Sequence, residues 1–173
     1  MAVLKFRVDD RLIHGQITAK WLRAWDIAKI VIVDTPLSQD ALMKQIYLMA
    51  APVGIEVSVL SSAEAIEAWG RGETPSANTM ALFKDVMHVA EIANAGVPVD
   101  EVQLGNLSKR PGSSAVGETV FLNEGDRALL RRLLQKNTAV FLQTLPGDEP
   151  LFMSDSGWLR FERRRPAGER RTL

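Results

Sequence analysis

The chain has no cysteine, which excludes disulfides and cysteine-ligated metal centres and removes any composition-based argument for an oxidising compartment. It also lacks an apolar run near the roughly 20 residues that span a bilayer, and Met1-Ala2-Val3-Leu4-Lys5 has no signal-peptide pattern. A cytoplasmic protein is expected, one that reaches a membrane only by docking on a membrane partner. Net charge is missing as well, since 21 basic residues balance 21 acidic ones. The balance is uneven along the chain. The last fourteen residues hold six arginines and two glutamates, which leaves 15 basic and 19 acidic residues before them. A mildly acidic body is poorly suited to nucleic acid, so no nucleic-acid partner is expected. No internal repeat or low-complexity segment precedes the arginine-rich end.

What remains is a chain of 173 residues, 46% hydrophobic, enough for one domain with a real core. Short apolar runs over residues 3–8, 30–33, 55–60, 80–83, 102–104, 119–122 and 139–143 read as strands. Between them lie stretches of helical spacing. One follows His14 with Ile17, Trp21, Leu22 and Trp25, and a second begins near Ser38 with Leu42, Ile46 and Met49 along one face. A third starts at the capping-box spacing of Ser61 and Glu64. A fourth is capped by Asp85 and carries Val89 and Ile92, and a fifth opens at Asn123 with Leu129, Leu130, Leu133 and Leu134 inward. This alternation predicts an α/β fold, a single open, mainly parallel sheet of six or seven strands with helices on both faces. The domain is expected over residues 1–155, and 156–173 as a C-terminal extension with a flexible arginine-rich tail.

Ligands of such folds sit beyond the carboxyl ends of strands, where strand order reverses. The first strand runs into Asp9-Asp10-Arg11-Leu12-Ile13-His14-Gly15-Gln16, so His14 sits between a strand end and a helix start. Unpaired N–H groups at a helix start attract anions, and a phosphoryl group there would meet Gly15, Gln16 and Arg11. A neutral imidazole is a competent nucleophile for phosphorus, and Asp9 or Asp10 can accept its other ring N–H and fix the tautomer. Two carboxylates beside a phosphate repel it, so only one of them should face the ring closely. Lys84 follows the fourth strand and can reach the same crevice as a further phosphate ligand, and Arg110 lies in a later polar loop with Gly112. His88 reads as an exposed helical residue and the tryptophans as core. Nothing around His14, Asp9, Asp10 or His88 follows a metal-ligand motif, so neither metal nor cofactor is expected.

The run from Arg7 to Gln16 closely resembles the active-site loop of the mannose/fructose/sorbose-type IIB components of the bacterial phosphoenolpyruvate-dependent sugar phosphotransferase system. The likeness extends more loosely over residues 3–150. It implies a protein-N(pi)-phosphohistidine–sugar phosphotransferase component in which His14 takes phosphate from a separate IIA phosphodonor protein. The phosphate would then pass to a sugar entering through membrane IIC/IID-type permease subunits. Two positions depart from that family's pattern: Lys84 stands where Thr, Asn or Pro is common, and Gly105-Asn106 where paired glycines are common. A regulatory phosphoprotein that uses the same histidine, or a non-covalent anion-binding module, are the alternative readings of these residues.

Overall fold

The computed structural model of the chain describes residues 2–70, 75–155 and 159–163. At its centre is β1 (Leu4–Asp9), a strand buried from Phe6 onward. It pairs in parallel with β4 (Thr79–Phe83) on one side and β5 (Glu101–Asn106) on the other, with Phe6 opposite Ala81 and Val102. The remaining strands of this sheet are β2 (Lys29–Val33), β3 (Glu56–Leu60), β8 (Ala139–Leu142), β9 (Leu151–Asp155) and β10 (Leu159–Arg163), in the order β10-β9-β8-β5-β1-β4-β2-β3. The six strands from β3 to β8 run parallel, and β9 and β10 add an antiparallel margin. The fold class is the expected one, but the sheet has eight strands rather than six or seven.

The extra pair is the β9–β10 hairpin, whose first strand packs Phe152 against Phe141 with ring centroids 5.3 Å apart. A domain boundary after residue 155 falls inside this hairpin, since β10 continues the sheet. The arginine-rich residues beyond 163 lie outside the described residues. The expected strand over 119–122 is reduced to β7 (Phe121–Leu122), which forms a small ribbon with β6 (Ser114–Ala115).

Alternation along the central strands divides the core into two layers. Phe6, Val8, Val31, Val33 and Phe83 face α4 (Ser62–Trp69), α5 (Val86–Asn94) and α6 (Glu124–Gln135), with Trp69, Val89, Ile92, Leu130 and Leu133 packed on them. Ile30, Ile32, Met80 and Leu82 face the other way, under Leu12 of the turn after β1 and Ile17, Trp21 and Leu22 of the first helical segment. The helix starts are built as their sequences demand. The Ser61–Glu64 and Asn123–Asp126 pairs close reciprocal capping boxes, and Asp85 accepts the His88 N–H.

Two expectations change here. The helix read as starting near Ser38 is two helices, α2 (Thr35–Gln39) and α3 (Ala41–Met49), because Asp40 adopts an extended backbone and caps the second through the Met43 N–H at 2.9 Å. Rotation about the α3 axis turns Tyr47 toward the core and leaves Leu42, Ile46 and Met49 at 71%, 48% and 83% exposure. His88 is not an exposed helical residue but 3% accessible. Its Nδ1 lies 2.9 Å from Asp85 Oδ1, and its Nε2 accepts the Thr35 N–H at 3.3 Å, joining the loop after β2 to the loop after β4.

These placements separate two side chains of similar character. Phe83→Ala, at a fully buried site, should lower the unfolding free energy by about 3–5 kcal/mol. Ile46→Ala should change it by no more than about 0.5 kcal/mol. Urea unfolding of both variants checks this, and equal losses would contradict the outward rotation of α3.

Candidate functional site

Chain order explains why β1 ends at the functional crevice. After β1 the chain leaves for β2 and β3, returns to β4 beside β1, and only then crosses to β5 on its other flank. The carboxyl end of β1 therefore sits at the reversal of strand order, where loops on either side diverge and leave space. Asp9 closes the strand, and its carbonyl accepts the Leu12 N–H at 2.9 Å in a tight turn. Leu12 holds a left-handed backbone, φ 56°, which a non-glycine residue adopts at a cost, and its 1% exposed side chain plugs the core beneath. The turn is thus fixed from below.

His14 caps the helix that follows, its carbonyl accepting the Thr18 N–H at 3.1 Å. That helix passes through a π turn, Ile17–Trp21, before ending as α1 (Leu22–Ala24), and the Leu22 N–H reaches back to the Ile17 carbonyl. Wide turns of this kind are rare and recur at functional sites. A Cβ on Gly15 would meet nothing within 4 Å, so no described neighbour requires glycine there, and the helix start is open to an incoming group.

Asp9 organises the side chains of the site. Its carboxylate is fully buried and meets three partners. Arg11 binds it with Nε to Oδ1 and Nη2 to Oδ2, both at 3.0 Å, Arg7 Nη2 donates to Oδ2 at 3.1 Å, and His14 Nε2 lies 3.1 Å from the same oxygen. Burial pushes the Asp9 carboxyl upward, but the hydrogen bonds from Arg11 and the charges of Arg7 and His14 outweigh it, and the group stays below the ordinary aspartate value. An ionised carboxylate cannot donate, so in the neutral imidazole His14 Nε2 carries the proton and Nδ1 the lone pair. Nδ1 faces the helix start, 3.4 Å from the Gln16 N–H, and the side chain is 18% exposed. Gln16 Oε1 in turn accepts from Arg11 Nη2 at 3.1 Å. The arrangement presents an imidazole nitrogen whose lone pair is held only by the long bond from the Gln16 N–H, beside a cation and the positive end of a helix, a site for covalent capture of an anionic electrophile.

Of the sequence-predicted residues, Asp9, Arg11, His14 and Gln16 form one bonded cluster, with Gly15 between them in the chain. Asp10 does not join it. Its Oδ1 accepts from Asn106 Nδ2 at 2.6 Å and its Oδ2 from the Ser108 N–H at 2.7 Å, so it fastens the β1 turn to the loop after β5. Asn106 is consequently used for its amide and not for a left-handed backbone. Lys84 is exposed and makes no hydrogen bond or ion pair among the described residues. Arg110 is committed elsewhere, its Nη2 2.5 Å from Asp126 Oδ2 at the start of α6. Lys84 and Arg110 nonetheless line one cavity of about 370 Å³ with Asp10, and a second of about 240 Å³ joins Lys84 to Leu12 of the histidine loop.

Arg7 was missed as a site residue. The available signal was a pair of opposite charges two residues apart, Arg7 and Asp9, in a strand otherwise apolar enough to be buried, which puts both on one face. Burial lowers the Arg7 guanidinium to about 10, with the Asp9 charge working in the opposite direction.

Fold and site define an open α/β domain that carries a preoriented histidine at its topological switch point. The chain belongs to the family described as the PTS system sorbose subfamily IIB component, whose sequence model matches residues 3–163. It is therefore a sugar-transport phosphotransferase-system IIB component. It is 28% identical over 148 residues to the sorbose-specific EIIB component of Lacticaseibacillus casei, covering 86% of this chain and 90% of that one. It is 26% identical to the mannose-specific EIIAB component of Escherichia coli K12, of which it spans 46% while 86% of this chain is covered. The crystal structure of the IIBSor domain of the Klebsiella pneumoniae sorbose permease superposes with a TM-score of 0.79 at 26% identity, covering 87% of this chain and 93% of that one.

The Asp9 pairing carries a pH dependence with a definite sign. Because folding holds the Asp9 carboxyl below its unfolded value of about 3.9, its contribution to stability is complete above that pH. The contribution fades as pH falls through the folded value. Asp9→Asn leaves Arg7 buried beside a neutral amide and should cost about 3–5 kcal/mol near neutrality. The gap between wild type and variant should close below about pH 4. Denaturant titrations at several pH values test it, and a gap independent of pH would contradict the ionised, paired state of Asp9.

Proposed function

We propose that this protein is a phosphohistidine carrier in sugar uptake, with His14 as the residue that holds the phosphoryl group. The observation that carries the reading is the engagement of His14 Nε2 by Asp9, which leaves Nδ1, held only by a long bond from the Gln16 N–H, as the nucleophile at an open helix start. In the first step Nδ1 attacks the phosphorus of a phosphohistidine on a IIA-type donor. A nitrogen–phosphorus bond forms on His14 as the donor's breaks, and the donor imidazole leaves with its electron pair. In the second step a sugar hydroxyl attacks the same phosphorus, the bond to Nδ1 breaks, and the hydroxyl proton passes to solvent. The second step takes place at membrane IIC/IID-type subunits, on which the protein docks from the cytoplasm.

Asp9 stabilises the positive charge that builds on the ring as Nδ1 becomes bonded, and Arg11 with the Gly15 and Gln16 N–H groups meets the phosphoryl oxygens. Lys84 is a cation on the rim of the adjoining cavity and contributes charge to the same region. Arg110, held by Asp126, acts at most through the loop it orders. The mannose-specific relative unites A and B components in one chain, which supports pairing the site with an A-type donor.

Incubation with a phosphorylated IIA donor should place one acid-labile, alkali-stable phosphate on His14. His14→Ala should fold normally and take up none, because the side chain belongs to a loop and little of the core depends on it. Label at full level on another residue of that variant would overturn the assignment. Arg11→Lys should accept phosphate about 10–100-fold more slowly, since the ammonium keeps the charge but loses the fork of donors that meets the phosphoryl oxygens. Rapid-quench transfer rates measure the difference.

A further inference from the structure

The two arginines bound to Asp9 differ in one respect that bears on the reaction. Arg11 has a side chain 36% exposed, at the surface where a phosphoryl group arrives, whereas Arg7 is fully buried. Arg7 is also enclosed on every side. Its Cζ lies 4.8 Å from the centroid of the Trp21 ring, which supplies a cation–π face. On its other side a Cβ at Gly105 would fall 1.9 Å from Nη2 and 2.1 Å from Cζ, so the guanidinium rests against backbone that only glycine leaves open. At its edge Nη1 donates to Gln103 Oε1 and to the Gln143 carbonyl at 3.1 Å. The Thr144 carbonyl that receives Nη2 at 3.5 Å also receives Trp21 Nε1 at 3.1 Å, tying the stacked ring and the cation to one acceptor. Arg7 Nε has no partner among the described residues, a cost the rest of the enclosure offsets.

We propose that Arg7, clamped between Trp21 and Gly105, is the positioning residue of the phosphoryl site, and that the two arginines divide the work. Resting on His14 as the phosphoryl acceptor, the proposal gives Arg7 the role of permanent counter-charge to Asp9. Arg11 is the cation that exchanges Asp9 for the phosphoryl oxygens. Two cations on one carboxylate are needed because the transfer removes one of them. Were Asp9 held by Arg11 alone, capture of phosphate would leave a buried carboxylate short of a partner just when His14 most needs it in place. With Arg7 fixed, Asp9 keeps its orientation and His14 keeps its proton on Nε2 through both halves of the cycle. The π turn has a purpose in this scheme, since it brings Trp21 over β1 seven residues after the histidine.

The test reads the histidine and the arginines separately. In the folded wild-type protein, ¹⁵N NMR should show His14 as the Nε2–H tautomer. On phosphorylation the guanidinium signals of Arg11 should move while those of Arg7 stay unchanged. Gly105→Ala pushes the guanidinium off its seat without removing a charge. It should mix the His14 tautomers and slow phosphate acceptance about tenfold or more. Trp21→Phe, which keeps a ring face but loses the Thr144 bond and part of the buried indole, should retain most of the rate. Arg11→Lys should slow acceptance with the tautomer unaltered. If Arg7 signals shift with those of Arg11 on phosphorylation, or if Gly105→Ala keeps the wild-type tautomer and rate, the positioning role is wrong. Absence of label on wild-type His14 would instead overturn the carrier reading on which it rests.

Discussion

A buried carboxylate with more positive partners than its own charge can balance is the constraint around which this protein is arranged. Asp9 has no accessible surface, and removal of a carboxylate from water is tolerated only when every oxygen is paired. Here the pairing is supplied by residues of one short sequence run, and the fold exists in part to bring that run to the place where strand order reverses. β1 supplies Arg7 and Asp9 on one face, the turn supplies Arg11, and the helix start supplies His14. Leu12 locks the turn by burying its side chain in a strained backbone conformation. The His14 end of the molecule is therefore closed over the buried charges and open at His14 Nδ1 and the helix start.

That division has an energetic consequence. An arginine that is fully buried and one that is about a third exposed cannot be interchangeable, even though both touch Asp9 at nearly equal distances. The buried one is expensive to desolvate, and its lowered affinity for the proton records this. Its cost is recovered through stacking on Trp21 and through bonds to Gln103 and to backbone carbonyls at the end of β8. The site thus depends on residues from β1, β5, the loop after β8 and the first helix, far beyond the ten-residue run that announces it.

Much of this was legible in the sequence, and the remainder failed for identifiable physical reasons. Six parallel strands followed from short β-branched runs between helical spacings, and every cap at Asp85, Ser61 and Asn123 could be read directly because capping is local. His14, Arg11 and Asp9 were legible for the same reason, being neighbours in the chain. Partners made by long-range packing were not. His88 is buried by the loop after β2, Asp10 is drawn away by Asn106 and Ser108, and Arg110 is taken by Asp126. Helical periodicity located the apolar stripe of α3 but not its direction, because only the contact of Tyr47 with the core decides which face turns inward. The β9–β10 pair escaped although Leu159 to Glu162 alternate apolar and charged residues, because that short strand runs directly into the arginine-rich end of the chain.

The central claim is that Asp9 occupies one ring nitrogen of His14 and so dictates which nitrogen reacts. Phosphorus–nitrogen couplings in the NMR spectrum of the ¹⁵N-histidine-labelled, phosphorylated protein report the bonded nitrogen directly. The account predicts a phosphoryl group on Nδ1 with Nε2 still protonated toward Asp9. A phosphoryl group on Nε2 would require that contact to break and would contradict it.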